Sequence, residues 1–220
     1  MRRVAYAAGV AGSIALIAGS MLGPLPMMPT EVLGFVTGGW AVWLTVRQNI
    51  WNWPIGIANS AFYLVVFLQA RLFADGSLQA VYIVLGFLGW YWWLRGGPSR
   101  SRLIVSRTGV RLGLTLVAVL VIGTLLMTQL LVRISDSAPF LDALTTVMSL
   151  IAQFMLTRKL FENWFVWISA DVIYIGLYIY KDLYLTSILY VVFMAMCVAG
   201  AIQWRQSLTN PRGEPQPVHG

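Results

Sequence analysis

Residues 52–63 read NWPIGIANSAFY, and residues 163–174 read NWFVWISADVIY. Laid on each other at an offset of 111 positions, the two stretches pair Asn52-Trp53 with Asn163-Trp164, Ile57 with Ile168 and Tyr63 with Tyr174. The same offset keeps working downstream, where Leu72 meets Leu183, Leu78 meets Leu189, Val81 meets Val192, Gly89 meets Gly200 and Trp93 meets Trp204. Leu and Val matches are common in any apolar chain, so the Trp, Asn and Tyr pairs carry the case for an internal repeat. A repeat of this length decides the architecture before any single element is assigned.

Hydrophobic residues make up 59% of the 220-residue chain and charged residues 10%, with a mean hydropathy of +0.75. A soluble domain carries about 25% charged residues. The composition therefore reads as a membrane protein. Apolar stretches lie near 4–23, 31–47, 53–70, 76–94, 111–133, 139–157, 163–180 and 184–204. As helices rising about 1.5 Å per residue, each has the length to cross about 30 Å of hydrocarbon. Barrel strands need only about 10 residues of alternating polarity, which these stretches lack. The expected fold is an all-α integral membrane protein.

Charge distribution sets the orientation. If the amino terminus is inside, the inside loops hold Arg2, Arg3, Arg47, Arg95, Arg100, Arg102, Arg107, Arg111, Arg158, Lys159, Arg205 and Arg212, against Arg71, Arg133 and Lys181 outside. This positive-inside bias puts both termini in the cytoplasm. The net charge of +7 is then a topology signal, with a contribution from anionic lipid at 95–111, and it implies no nucleic-acid partner. Residues 1–20, with two arginines, an apolar run and Ala18-Gly19-Ser20, also have the form of a signal peptide. We read them as a retained extra helix; cleavage would leave the next segment starting outside either way.

The repeat divides the chain into an amino-terminal hydrophobic segment (1–30), a first three-helix repeat (31–95), a basic loop and linker helix (96–135), a second three-helix repeat (136–206) and a polar tail (207–220). Three crossings reverse the direction of the chain and one linker helix restores it. The two triplets are therefore expected to be parallel, related by an axis along the membrane normal. The three-one-three order is shared with the SWEET transporters, an analogy of fold that does not itself assign function.

Trp164, Trp167, Asp171, Tyr174 and Tyr178 follow one another at spacings of three and four, which puts them on one face of a helix. Asp171 is the one acidic residue deep in an apolar stretch. A charge at mid-membrane costs about 3 kcal/mol or more, so it must face protein or a water-filled cavity. Two readings stand: a ligand site, or a hydrogen-bonded Asp tying helices together. For Trp and Tyr the competing role is packing or interfacial anchoring. The matching face of the first repeat reads Trp53, Gly56, Ser60, Tyr63 and Phe67, with Asn59 beside it. A site between the repeats would then have one charged wall and one neutral, hydrogen-bonding wall. Aromatic faces with one carboxylate suit a delocalised cation, each cation–π contact contributing about 0.5–2 kcal/mol. Gln79, Gln153 and Asn59 are further polar groups in apolar stretches, equally suited to interhelical hydrogen bonds.

Other chemistry is absent from the sequence. The single Cys197 reads as packing, and the single His219 sits in the polar tail, so no disulfide, metal or cofactor is expected. No Walker sequence, Ser/His/Asp set or second intramembrane acid is present, and one carboxylate cannot readily serve as both general acid and base. The chain does not read as an enzyme.

Taken together, Asn49-Ile-Trp-Asn-Trp-Pro-Ile-Gly-Ile-Ala-Asn59, Leu72-Phe-Ala-Asp75 with Gln79, Gly89-Trp-Tyr-Trp-Trp93, Glu162-Asn-Trp-Phe-Val-Trp-Ile-Ser-Ala-Asp171 and Tyr178-Ile-Tyr-Lys-Asp-Leu-Tyr184 resemble the bacterial nicotinamide riboside transporters, the PnuC family. The resemblance covers about 31–206. It implies a SWEET-like fold, homotrimers, and facilitated diffusion of nicotinamide riboside, an NAD precursor, across the inner membrane, made one-way by phosphorylation inside. It also implies that substrate meets Trp53, Asn59, Gln79, Gln153, Trp164, Trp167, Asp171, Tyr174 and Tyr190. The first half departs from the motif, with Gly56 at the second Trp position and Ser60 at the acid. Related carriers for thiamin, riboflavin or a small sugar remain an alternative, as does a membrane assembly subunit whose polar residues only join helices.

Overall fold

A computed structural model describes residues 2–22, 29–69, 71, 73–135, 138–180, 182 and 184–209. Leu72, Lys181, Leu183 and the tail from Asn210 with His219 lie outside that set. The described residues form eight α-helices: α1 (Arg2–Met21), α2 (Pro29–Val46), α3 (Asn52–Gln69), α4 (Phe73–Arg95), α5 (Val110–Arg133), α6 (Pro139–Thr157), α7 (Asn163–Tyr180) and α8 (Tyr184–Thr209). No strand forms among them; one isolated β-bridge joins Ser106 to Leu160.

By length and apolarity, four stretches are fit to cross a bilayer: Asp75–Arg95, Val110–Arg133, Pro139–Thr157 and Ser187–Thr209. This is fewer than the eight apolar segments of the sequence. The helix α2 contributes only a short apolar run, Val32–Val46. By contrast, α3 and α7 have 18 residues each, about 27 Å of helix, and are diluted by the Asn, Trp, Tyr and Asp side chains that turn inward.

The helix ends repeat at the same 111-residue offset. A left-handed residue follows α2 and α6, Gln48 (φ 52°) and Lys159 (φ 54°), and another follows α3 and α7, Arg71 (φ 60°) and Asp182 (φ 58°). Such residues end a helix by turning the chain out of its axis. Asn49 Oδ1 then accepts the Trp51 N–H at 3.0 Å, forming the turn that opens α3.

Packing follows the same rule. The helices α2, α3 and α4 pack consecutively, as do α6, α7 and α8, and the two sets meet through α4 against α6 and α8 against α2. Trp93 Nε1 on α4 donates to Leu156 O on α6 at 3.0 Å, while Trp204 Nε1 on α8 donates to Thr45 O on α2 at 3.2 Å. Donors and acceptors of these two bonds are both separated by the repeat offset, so each half holds the other by the same contact. Four tryptophans form the core of this junction. Trp53 meets Trp93 edge-on at 5.4 Å, Trp164 meets Trp204 edge-on at 5.3 Å, and Trp93 meets Trp204 at 5.9 Å. Edge-to-face pairs contribute about 0.5–1.5 kcal/mol each beyond their buried area.

The sequence offers no counterpart for α5, yet α1 packs on α2 as α5 packs on α6. Each lies against the helix that follows it in the chain. The loop between α4 and α5 is anchored as a strap over the α6–α7 turn. Ser106 N donates to Lys159 O (3.2 Å), Phe161 N to Ser106 O (2.8 Å), and Thr108 donates through both N and Oγ1 to Glu162 Oε2 (2.8 Å each). Lys159 is buried there with its ammonium over the Trp93 ring at 4.6 Å and donating to Leu103 O at 3.0 Å. Burial pulls that ammonium down to about 8, with the charge of Arg102 adding to the effect.

Candidate functional site

A cavity of about 410 Å³ opens among the helices. Its walls come from α2, α3, α4, α6, α7 and α8, and they contain Trp53, Asn59, Gln79, Gln153, Trp164, Trp167, Asp171, Tyr174 and Tyr190. The nine residues that the resemblance assigns to substrate are thus brought to one space, while Tyr63, Phe67 and Tyr178 of the two helix faces are not in its lining. Much of the lining falls into pairs at the repeat offset. Asn52 and Asn163, and Trp53 and Trp164, are identical pairs; Val42 and Gln153, Gly56 and Trp167, Ser60 and Asp171, and Gln79 and Tyr190 are not. The identical pairs stand at the amino-terminal ends of α3 and α7, and the dissimilar ones deeper in the helices.

Asp171 is the one charged residue in the lining and is only 5% exposed. Cys197 Sγ donates to its Oδ2 at 3.6 Å, and no lysine, arginine or histidine lines the cavity among the described residues. Cys197 therefore faces the site, where the sequence indicated plain packing. Next to Asp171 on α7, Tyr174 and Tyr178 stack at 6.0 Å, and Tyr190 of α8 leans on them at 4.7 and 5.2 Å. Tyr63 and Phe67 repeat the α7 stack in α3 at 5.7 Å.

The side chains differ in how much of themselves they leave for a ligand. Trp53 and Trp164 are almost wholly buried, each ring lying on a glycine of the neighbouring helix, Gly89 and Gly200 respectively. Their faces are consumed by packing, so ring stacking on a ligand falls to the half-buried Trp167 and the tyrosines. Asn59 spends its amide protons on α2, donating to Gly34 O at 2.9 Å and Thr37 Oγ1 at 2.7 Å. It ties α3 to α2 while facing the cavity. Gly86 serves close packing, since a Cβ there would meet Ile57 at 2.6 Å. Tyr82 and Ser149, which share a hydrogen bond between α4 and α6, also line the space and were not singled out in the sequence. Ser149 is legible as a polar residue in an apolar helix; Tyr82 gives no such signal. No set of three His, Cys, Asp or Glu side chains is close enough to hold a metal among the described residues.

The arrangement can hold a cation against Asp171 among aromatic rings and hydrogen-bond a neutral polar group elsewhere. Comparison with known proteins places the chain among transporters. The family model described as "Nicotinamide mononucleotide transporter" matches residues 28–206. The nicotinamide riboside transporter PnuC of Escherichia coli K12 is 25% identical over 203 residues, covering 80% of this chain and 85% of that protein. The riboflavin/roseoflavin transporter RibM of Streptomyces davaonensis is 24% identical over 180 residues, covering 80% and 84%. The crystal structure of the vitamin B3 transporter PnuC superposes with a TM-score of 0.68 at 22% identity over 91% of this chain and 92% of that one, a likeness of fold.

Proposed function

The chain belongs to the nicotinamide mononucleotide transporter family, and from that premise we propose that it carries nicotinamide riboside into the bacterial cell by facilitated diffusion across the inner membrane. The observation that carries the reading is Asp171, a lone buried carboxylate in a cavity whose lining is otherwise aromatic, apolar or neutral polar. The riboside has a cationic pyridinium ring to meet that carboxylate and a hydroxylated sugar for the neutral groups. Trp167, Tyr174 and Tyr190 supply faces for the ring, with Asn59, Gln79 and Gln153 in reach of polar atoms. The relatives named as riboside transporters support the same reading.

A mononucleotide is disfavoured by the same chemistry. Its phosphate brings about −1.5 to −2 charges at neutral pH, and the lining offers no cation to receive them. The similarity to RibM makes a riboflavin carrier the rival reading. A neutral flavin ring brings no positive charge to the buried carboxylate.

In this proposal the carrier is duplicated, two parallel triplets rocking about the cavity, with α5 as linker and α1 as an added helix. The reciprocal Trp93–Leu156 and Trp204–Thr45 bonds support that arrangement. Both termini lie inside by the positive-inside rule, and the protomers form trimers as the family resemblance implies. The test is uptake of labelled riboside into proteoliposomes with no ion gradient. Saturable entry down the substrate gradient is expected. Uptake that appears only under an imposed proton or sodium gradient sinks facilitated diffusion, and none above protein-free vesicles sinks the carrier.

A further inference from the structure

The two identical pairs in the cavity wall share an unusual state. Asn52 Nδ2 donates to Thr45 Oγ1 at 3.1 Å, and Asn163 Nδ2 donates to Leu160 O at 2.6 Å. Each amide is held by its nitrogen, so its Oδ1 is turned elsewhere, and neither Oδ1 has a partner among the described residues. The following residues behave alike: Trp53 and Trp164 pack their rings on Gly89 and Gly200 and leave both Nε1 donors unpartnered. The four side chains are 0–4% exposed and all line the cavity. Trp93 and Trp204, the other two buried indoles, have their N–H groups satisfied by backbone carbonyls.

A buried polar group without a partner is costly, because it has given up its bonds to water and gained none in return. One such atom is a local defect. Four of them, in matching pairs on side chains that line one space, are vacant hydrogen-bonding positions. Each half offers one acceptor and one donor, and a hydroxyl satisfies both because it donates and accepts at once. A phosphate or carboxylate has no proton to give, and an ammonium has no lone pair. The pairs stand seven or eight residues before Asp171 along α7, or the matching Ser60 along α3, about 10–12 Å of helix. The cavity thus has a charged, aromatic region and a neutral region roughly a nucleoside's length away.

We infer that Asn52 with Trp53, and Asn163 with Trp164, form two equivalent hydroxyl-binding subsites that take the sugar hydroxyls of the substrate in place of water. The inference rests on the riboside-carrier reading and adds to it two asparagines and the edges, not the faces, of two tryptophans. The test is calorimetric binding of nicotinamide riboside and its 2′-deoxy, 3′-deoxy and 2′,3′-dideoxy counterparts to the full chain in detergent. Wild-type protein is expected to bind about ten-fold more weakly for each hydroxyl removed. Trp53→Phe and Trp164→Phe remove the indole N–H together with its five-membered ring while keeping a six-membered aromatic ring. Each is expected to lose most of the discrimination for one hydroxyl, a ratio that a general loss of stability does not move. Wild-type protein that binds the dideoxy compound as tightly as the riboside overturns the subsites, as do folded variants that discriminate as wild type does. Wild-type protein that binds none of the four overturns the riboside-carrier reading itself.

Discussion

Replacing Gly200 by alanine should unseat Trp164. A Cβ built at Gly200 meets three carbons of the Trp164 ring at 2.5, 2.5 and 2.6 Å, and one at Gly89 meets Trp53 carbons at 2.2, 2.4 and 2.6 Å. Carbon atoms pack at about 3.5–4.0 Å, so each methyl is roughly 1 Å too close. Each indole is also hemmed in from one side, because Trp204 and Trp93, one turn beyond the two glycines on the same helices, stand edge-on to them at 5.3 and 5.4 Å. Overpacking of this kind costs about 1–3 kcal/mol. For a chain of this length that is about 2–4 °C of melting temperature per kcal/mol, or several degrees for either variant. Gly39→Ala and Gly176→Ala supply the control, since a Cβ at either has nothing within 4 Å. In a helix interior that change is expected to stabilise by about 0.5–1 kcal/mol. The assay is thermal unfolding of the purified protein in one detergent, followed by intrinsic tryptophan fluorescence. Gly89→Ala and Gly200→Ala should fall together and the controls should hold or rise. If the two former variants melt with the controls, the glycines are not seats for the indoles and the matched packing of the halves is refuted.

Further outcomes follow from the strap and the lining. Glu162→Ala removes the acceptor of both Thr108 bonds, so limited proteolysis of the 96–109 loop should quicken several-fold; unchanged cleavage contradicts the strap. The Arg107–Glu162 pair is long at 3.9 Å and its arginine is exposed, so it should matter little and Arg107→Ala should leave cleavage near the wild-type rate. Lys159 has a folded-state value of about 8 against 10.5 in the open chain. Between those values the unfolded chain holds the proton and the folded one sheds it, so stability should rise with pH across that window, by about 3 kcal/mol at most. Lys159→Met should flatten that rise, and an unaltered slope assigns it to other groups. Modification of Cys197 by a small neutral thiol reagent should abolish riboside uptake, since its thiol touches Asp171 inside the cavity; full activity after complete labelling contradicts that placement.

The helices were legible in the sequence because apolar length is a strong signal, and the sequence likeness at the 111-residue offset could be read because Trp and Asn pairs are rare. Asp171, Asn59, Gln79 and Gln153 could be named because a carboxylate or amide in an apolar helix must face something polar, the tryptophans and Tyr174 by their spacing on the repeated helix faces, and Tyr190 only through the family resemblance. What escaped has specific causes. The role of Trp53 and Trp164 turns on which part of the ring is covered, and only the approach of Gly89 and Gly200 reveals it. Cys197 reads as packing until α8 is laid on α7 and its thiol reaches Asp171. Asn52 and Asn163 were in view as the first letters of the repeat, but spacing cannot tell a satisfied amide from one left half-bonded. The likeness of α1 and α5 is one of position alone: both pack on the first helix of their triplet without matching sequence.

The central claim is that Asp171 reads the positive charge of the substrate. It is tested most directly by measuring, on wild-type protein and on Asp171→Asn, the affinity for nicotinamide riboside and for its reduced form, whose ring is uncharged. The pyridinium nitrogen carries the ribose and gives no hydrogen bond, so the contact is one of charge, about 3–4 kcal/mol at about 4–6 Å and an effective dielectric constant of about 20 before desolvation, and the wild type should prefer the cation by roughly ten- to a hundred-fold. Folded Asp171→Asn should bind the two forms about equally. A variant that folds and keeps the wild-type preference for the cation would contradict the account, because the charge would then be read somewhere other than Asp171.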